Sequence, residues 1–326
     1  MNTTRRTMMR RLALALGLIL PLSAQAADPW PQRTIRVVVP YPPGGPADIM
    51  GRLAAQKLGE RLGVNTVVEN RSGASGTVGA EAVRAAAPDG YTLLAAPSVH
   101  VMGRQVLRSV PYDPVGDFTP IARLGQGPLL VLANPSVPGR TIAEMLPALR
   151  AQPSNFSFGL SAFGAANHLA VLDFNRRAGL DLLIVPYRGS GPALTDLIAG
   201  QLQLMIDPMS AALPHVQDGR LKALAVTSAR RSPIAPEIPT VAESGMPGLE
   251  FASWYGVWGP RGLPAEIVQR VNAALVAGMR DPNVVERLAA LGNEPVTETP
   301  EEFAAFIEAD VRRNTEILRT ARYQPE

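Results

Sequence analysis

The chain of 326 residues contains no cysteine. That excludes disulfides, thiolate catalysis, thiolate metal sites and a lipid anchor on an N-terminal cysteine. Histidine is scarce too. His100, His168 and His215 fall in no HxxxH, HxH or HExxH spacing, so no metal site is expected. There is no GxSxG elbow and no GKS or GKT, and Gly73-x-x-Gly76-x-x-Gly79 is not a dinucleotide fingerprint. It reads as a glycine-rich turn leading into a helix. Nothing calls for a cofactor. Lysine occurs twice, as Lys57 and Lys222, so nearly all basic charge is arginine. Beyond the first 26 residues no run is apolar for the roughly 20 residues that a membrane helix needs.

The N-terminus is built differently. Arg5, Arg6, Arg10 and Arg11 precede an apolar run from Leu12 to Leu22, and Ala24-Gln25-Ala26 supplies a small-x-small site. Residues 1–26 therefore read as a cleavable signal peptide. Thr4-Arg5-Arg6-Thr7-Met8-Met9 leaves the twin-arginine route open beside the general one. The full chain carries 31 Lys+Arg against 28 Asp+Glu, a net +3. Removing four arginines and no acid leaves 27 against 28, a net −1. The basic excess belongs to the leader, and a nucleic-acid partner loses its support.

Short β-rich runs alternate with helical periods along the rest. Ile35–Val39 predicts a strand; Ile49, Leu53, Lys57 and Leu58 predict a helix; Val64–Glu69 and Tyr91–Ala95 predict further strands. Later strands are expected at 129–133, 156–159, 183–186, 202–207 and 221–227, with helices between them. Pro264, Pro282 and Pro300 stand where a first helical turn tolerates proline. The rhythm implies an α/β fold with mostly parallel sheets. Gly125-Gln126-Gly127-Pro128 and Ser228–Pro239 are the strongest punctuation, the places where the chain would change lobes.

Three strand-to-helix turns are candidates for a ligand site. Pro40-Tyr41-Pro42-Pro43-Gly44-Gly45-Pro46-Ala47-Asp48 combines stiff prolines, close-approach glycines and a helix start, a geometry suited to a carboxylate. Asp48 caps or begins that helix in this reading. Composition alone equally allows an ordinary capped turn. Gly159–His168 and Tyr187–Pro192 share the design. Three such turns favour a site at strand C-terminal ends.

The first loop resembles the signature of the Bug family, the substrate-binding proteins of tripartite tricarboxylate transporters. Further segments resemble it in order: Val68–Ala74, Ala87–Leu94, Val185–Asp196, Leu221–Ser228, Pro239–Gly245 and Pro300–Phe303. The resemblance implies a two-lobed, periplasmic-binding-protein-like (type II) clamshell. In it 27–126 would form the first part of lobe 1, 127–227 lobe 2, and 228–326 the second part of lobe 1. It implies a monomeric, non-catalytic periplasmic protein that delivers a small carboxylate to a membrane permease of that type. Expected ligand-binding residues are Tyr41, Gly44, Gly45, Asp48, Ser98, Ser161, Gly164, Ala165, Asn167 and Asp207. Asp207 reads equally as the end of a strand before Pro208.

This chain has Ala165 and Ala166 where the family carries small hydroxyl residues, so contacts there would use backbone N–H groups. With Leu160 and Phe163 in the same loop, an apolar or aromatic ligand portion is expected to face it. Trp254, Tyr255 and Trp258 are expected to pack between the lobes. A sensor that docks a membrane kinase, and a periplasmic ester hydrolase using Ser98, are the competing readings.

Overall fold

The computed structural model describes residues 30–325. The predicted signal peptide lies outside the described residues.

β1 (Ile35–Val39) is β-branched at four of five positions and buried along nearly its whole length, as a strand covered on both faces must be. α1 (Pro46–Leu62) follows, with Met50, Leu53, Ala54 and Leu58 on its buried stripe. β2 (Thr66–Asn70), α2 (Thr77–Arg84) and β3 (Thr92–Pro97) complete two β-α-β units, and β1 pairs parallel with both β2 and β3. A 3₁₀ turn, Ser98–Met102, runs into the single turn α3 (Gly103–Val106).

The next strand is the joint of the molecule. β4 (Phe118–Ala133) is 16 residues long. α4 (Ile142–Ala151), β5 (Ser157–Leu160), α5 (Ala166–Ala178), β6 (Leu183–Pro186), α6 (Ser190–Ile198), β7 (Leu204–Pro208), α7 (Met209–Gln217) and β8 (Lys222–Val226) build the second lobe. β9 (Ala252–Pro260), α8 (Ala265–Met279), α9 (Pro282–Ala290), β10 (Glu294–Pro295) and α10 (Pro300–Thr320) close the chain. The strand order is β2-β1-β3-β9-β4-β7-β5-β6, with β8 and β10 also on β4. From Phe118 to Pro128 β4 pairs antiparallel with β9; from Leu129 onward it pairs with β7 and β8. Each lobe is thus parallel at its outer strands and antiparallel where the crossing strands enter.

The fold is the expected two-lobed α/β architecture, but two of its elements were hidden in the sequence. The Gly125–Pro128 punctuation sits inside β4, where the strand leaves β9 for β7. β9 itself carried no strand expectation, only an aromatic cluster. Residues 228–251, expected in lobe 1, stay with the second lobe. Ser244 Oγ accepts from Ile142 N–H and donates to Leu224 O, and Arg177 Nη1 donates to Pro247 O. The chain therefore returns only as β9 begins. Thr227 clasps both crossings: its buried hydroxyl accepts from Leu129 N–H (2.8 Å) and donates to Phe251 O (2.6 Å).

Trp254 and Trp258 belong to a core that runs from Val38 and Leu94 to Phe158 and Leu204, so they do join the lobes. Tyr255 points to the other face of β9, into the core under α1 and α8. Pro214 lies inside α7 and His215 in its last turn.

Candidate ligand-binding site

The first loop is held by one carboxylate. Asp48 sits in the first turn of α1 and is buried. Its Oδ2 accepts from Gly44 N–H (2.9 Å) and Arg52 Nε (2.8 Å), and its Oδ1 accepts from Asn70 Nδ2 (2.9 Å). Asn70 Nδ2 also donates to Tyr41 O (3.0 Å). Burial would raise the Asp48 carboxyl, but Arg52, Gly44 and Asn70 outweigh it and hold it at about 2. Asp48 was expected as a ligand contact. Its oxygens are instead spent on shaping the loop.

Gly44 adopts φ +86°, a conformation that favours glycine, and a Cβ placed there would touch nothing within 4 Å. Gly44 is exposed and Gly45 half-buried. No side chain caps α1, whose N-cap is Gly45. The open backbone beside an uncapped helix start is what a carboxylate site requires.

The second lobe repeats the design. α5 starts at N-cap Ala165 and α6 at N-cap Gly189, again without a side-chain cap. Gly164, at φ +73°, donates its N–H to His168 Nδ1 (3.1 Å), and a Cβ there would meet Val106 at 2.6 Å. The backbone at this turn therefore touches α3 of the first lobe. Below it lies a polar chain. Asn167 Nδ2 donates to Ser161 Oγ (2.7 Å), which donates to Asp207 Oδ1 (2.8 Å). Asp207 is fully buried, and its Oδ2 has no hydrogen-bond partner. Burial pushes its carboxyl up to about 6, although the Ser161 and Ser190 hydroxyls act against that.

The expected residues divide into groups. Tyr41 lines a narrow cleft together with Phe163 of the second lobe. Ser98 and Gly164 line a second small recess, walled by Trp254, Asp310, Arg313 and Asn314. Ser161, Asn167 and Asp207 form the buried chain, Gly45 and Ala165 stand at the uncapped helix starts, and the Gly44 N–H is taken by Asp48. Leu160, expected to face a ligand, is buried in the core, while Phe163 does line the cleft. Sequence reasoning missed Arg52, Asn70 and Tyr112. Arg52 was legible as the i+4 partner of Asp48, whereas Tyr112 carried no local signal.

Ser98 and His100 share no hydrogen bond, and His100 Nε2 has no partner at all. Among the described residues no group of three or more acids and histidines is placed to hold a metal ion. Among the same residues no helix is long and apolar enough to cross a membrane.

The chain is 36% identical over 317 residues to Protein BugT of Bordetella pertussis, covering 95% of this chain and 97% of that one. An R. palustris protein solved with adipate is 36% identical, with a TM-score of 0.83 over 91% of this chain and 100% of that one. The periplasmic binding protein BugD is 33% identical with a TM-score of 0.80 over 91% of this chain and all of its own. MatC from Rhodopseudomonas palustris, solved with bound malate, is 33% identical with a TM-score of 0.78, covering 89% of this chain and 100% of that one. The family described as TctC, the tripartite tricarboxylate transporter family receptor, matches residues 50–322. The chain belongs to that family, whose members are solute-binding receptors and not enzymes.

Proposed function

We propose that this protein captures a small carboxylate between its lobes in the periplasm and hands it to a tripartite tricarboxylate-type permease. The reading includes export by cleavage near Ala26 and action as a monomer. The uncapped starts of α1 and α5 provide the anion site, through the backbone of Gly45 and Ala165, with Gly44 held in place by Asp48. The observation that carries the reading is that relatives 36% and 33% identical were solved with adipate and with malate. Ligand closure would turn on the β4 and β9 crossings that Thr227 clasps.

The test is a thermal-shift panel on the exported protein, with aliphatic and aromatic carboxylates against their neutral amides. Carboxylates should raise the melting temperature and amides should not. A flat response across the panel would sink the reading. Mass spectrometry of ligand released from gently purified protein would then name the natural carboxylate.

A further inference from the structure

The loops that start α1 and α5 are built alike. Each has a glycine at positive φ, Gly44 at +86° and Gly164 at +73°. Each follows it with an extended N-cap, Gly45 at φ −80°, ψ 170° and Ala165 at φ −77°, ψ 167°. In each, the third residue of the helix reaches back over the turn. Asp48 Oδ2 accepts from Gly44 N–H at 2.9 Å, and His168 Nδ1 accepts from Gly164 N–H at 3.1 Å. The glycine N–H is satisfied in this way, and the helix start itself is left without a side-chain cap.

The chemistry of the two devices differs. Asp48 carries a charge, which Arg52 offsets at 2.8 Å. The first turn of α5 holds no acid. His168 is buried, and burial lowers its pKa to about 4, so it accepts as a neutral ring. An imidazole thus fixes the loop and sets no negative charge against an anion at the helix start. The ring is itself held. Phe163 and Tyr323 stand edge-on to it, with centroids at 5.4 and 4.9 Å. Tyr323 lies just past the end of α10, and its hydroxyl donates to Val106 O of α3 at 3.3 Å. Val106 is also the residue that a Cβ on Gly164 would meet. The first lobe and the C-terminal segment therefore fix the ring that fixes the second-lobe turn.

We propose that His168 is the positioning residue of the second-lobe turn, holding Gly164 so that the backbone at Ala165 keeps the geometry that receives a carboxylate. The proposal rests on the carboxylate reading above and adds to it a residue that acts without touching the ligand.

The experiment is isothermal titration calorimetry of the exported protein and two variants with adipate, malate and benzoate. His168→Phe keeps a ring between Phe163 and Tyr323 and removes the acceptor. Its affinity for the acids that bind should fall about tenfold, the worth of one such hydrogen bond. His168→Asn loses the ring but keeps an acceptor on a side chain of the length that serves at Asp48, and its affinity should stay close to that of the unaltered protein. Rescue separates positioning from packing, because packing alone makes phenylalanine the better substitute and positioning makes it asparagine. Unchanged affinity in His168→Phe would overturn the proposal and leave the carboxylate reading standing. A loss in His168→Asn as large as in His168→Phe would do the same. Should either variant not fold, the other decides, by retained affinity in His168→Phe or a tenfold loss in His168→Asn. If none of the three acids binds the unaltered protein, the carboxylate reading falls and this proposal with it.

Discussion

Asp48, in the first turn of α1, and Asp207, at the end of β7, are two buried acids, one in each lobe, and the protein treats them in opposite ways. Asp48 receives a guanidinium, an amide and a backbone N–H, and its carboxyl is held at about 2. Asp207 receives one hydroxyl within hydrogen-bond geometry and leaves Oδ2 unpaired, and its carboxyl is pushed up to about 6. Burial raises both carboxyls, but Asp207 lies deeper and has only hydroxyls against it, whereas a guanidinium, an amide and a backbone N–H outweigh it at Asp48. The first-lobe turn is complete without a ligand. The second-lobe turn keeps an acid whose charge is unfavourable until something supplies a further donor. A preformed half facing a half with an unmet bond suits capture by one lobe followed by closure of the other.

The comparison can be broken from either side. Asp48→Ala should have the largest effect. It removes the acceptor for three donors, and breaking such a network costs about 3 kcal/mol once the exposure of Arg52 is discounted. Chemical denaturation should show the loss, and calorimetry should show weaker carboxylate binding as the first loop loosens. Unchanged stability would mean that the loop does not depend on Asp48.

Asp207→Asn should act in the opposite direction. An acid whose folded pKa lies above its ordinary 3.8 favours the folded state while it is protonated. Stability from this group is therefore greatest below about pH 4 and falls as pH rises to about 6. Asn cannot ionise, so the variant should gain about 2 kcal/mol at pH 7.5 and little at pH 4. Melting curves at the two pH values decide this, and an equal shift at both would refute it. Ser161→Ala sharpens the contrast with a smaller effect, about 1 kcal/mol. It takes away one of the two hydroxyls that favour the charged form of Asp207 and should raise the Asp207 pKa further, as seen in the carboxyl ¹³C shift by NMR titration.

Legibility of the fold followed the range of the interactions. β1 was read at its own bounds and α1 by its apolar stripe, because β-branched runs and 3.6-residue periods are local. β4 was read as five residues, Leu129–Ala133, instead of 16, since Pro120, Gly125, Gly127 and Pro128 look like turns when read in line. Those residues hold a strand because β9, more than 120 residues away, pairs with them. The candidate site divides in the same way. The Gly44-Gly45 turn and the start of α1 were visible. The network around Asp48 was not, because Asn70 reaches it from a separate strand.

The sequence by itself determined the alternation of strands and helices, the glycine turns and the family they resemble, because each rests on neighbours along the chain. The tertiary structure decided which lobe residues 228–251 join, that Thr227 ties both crossings, and that His100 Nε2 is buried without a partner. It also decided that one aspartate stays charged while the other resists charge. Burial and hydrogen-bond partners set such properties, and both are made by segments that meet only in the folded chain.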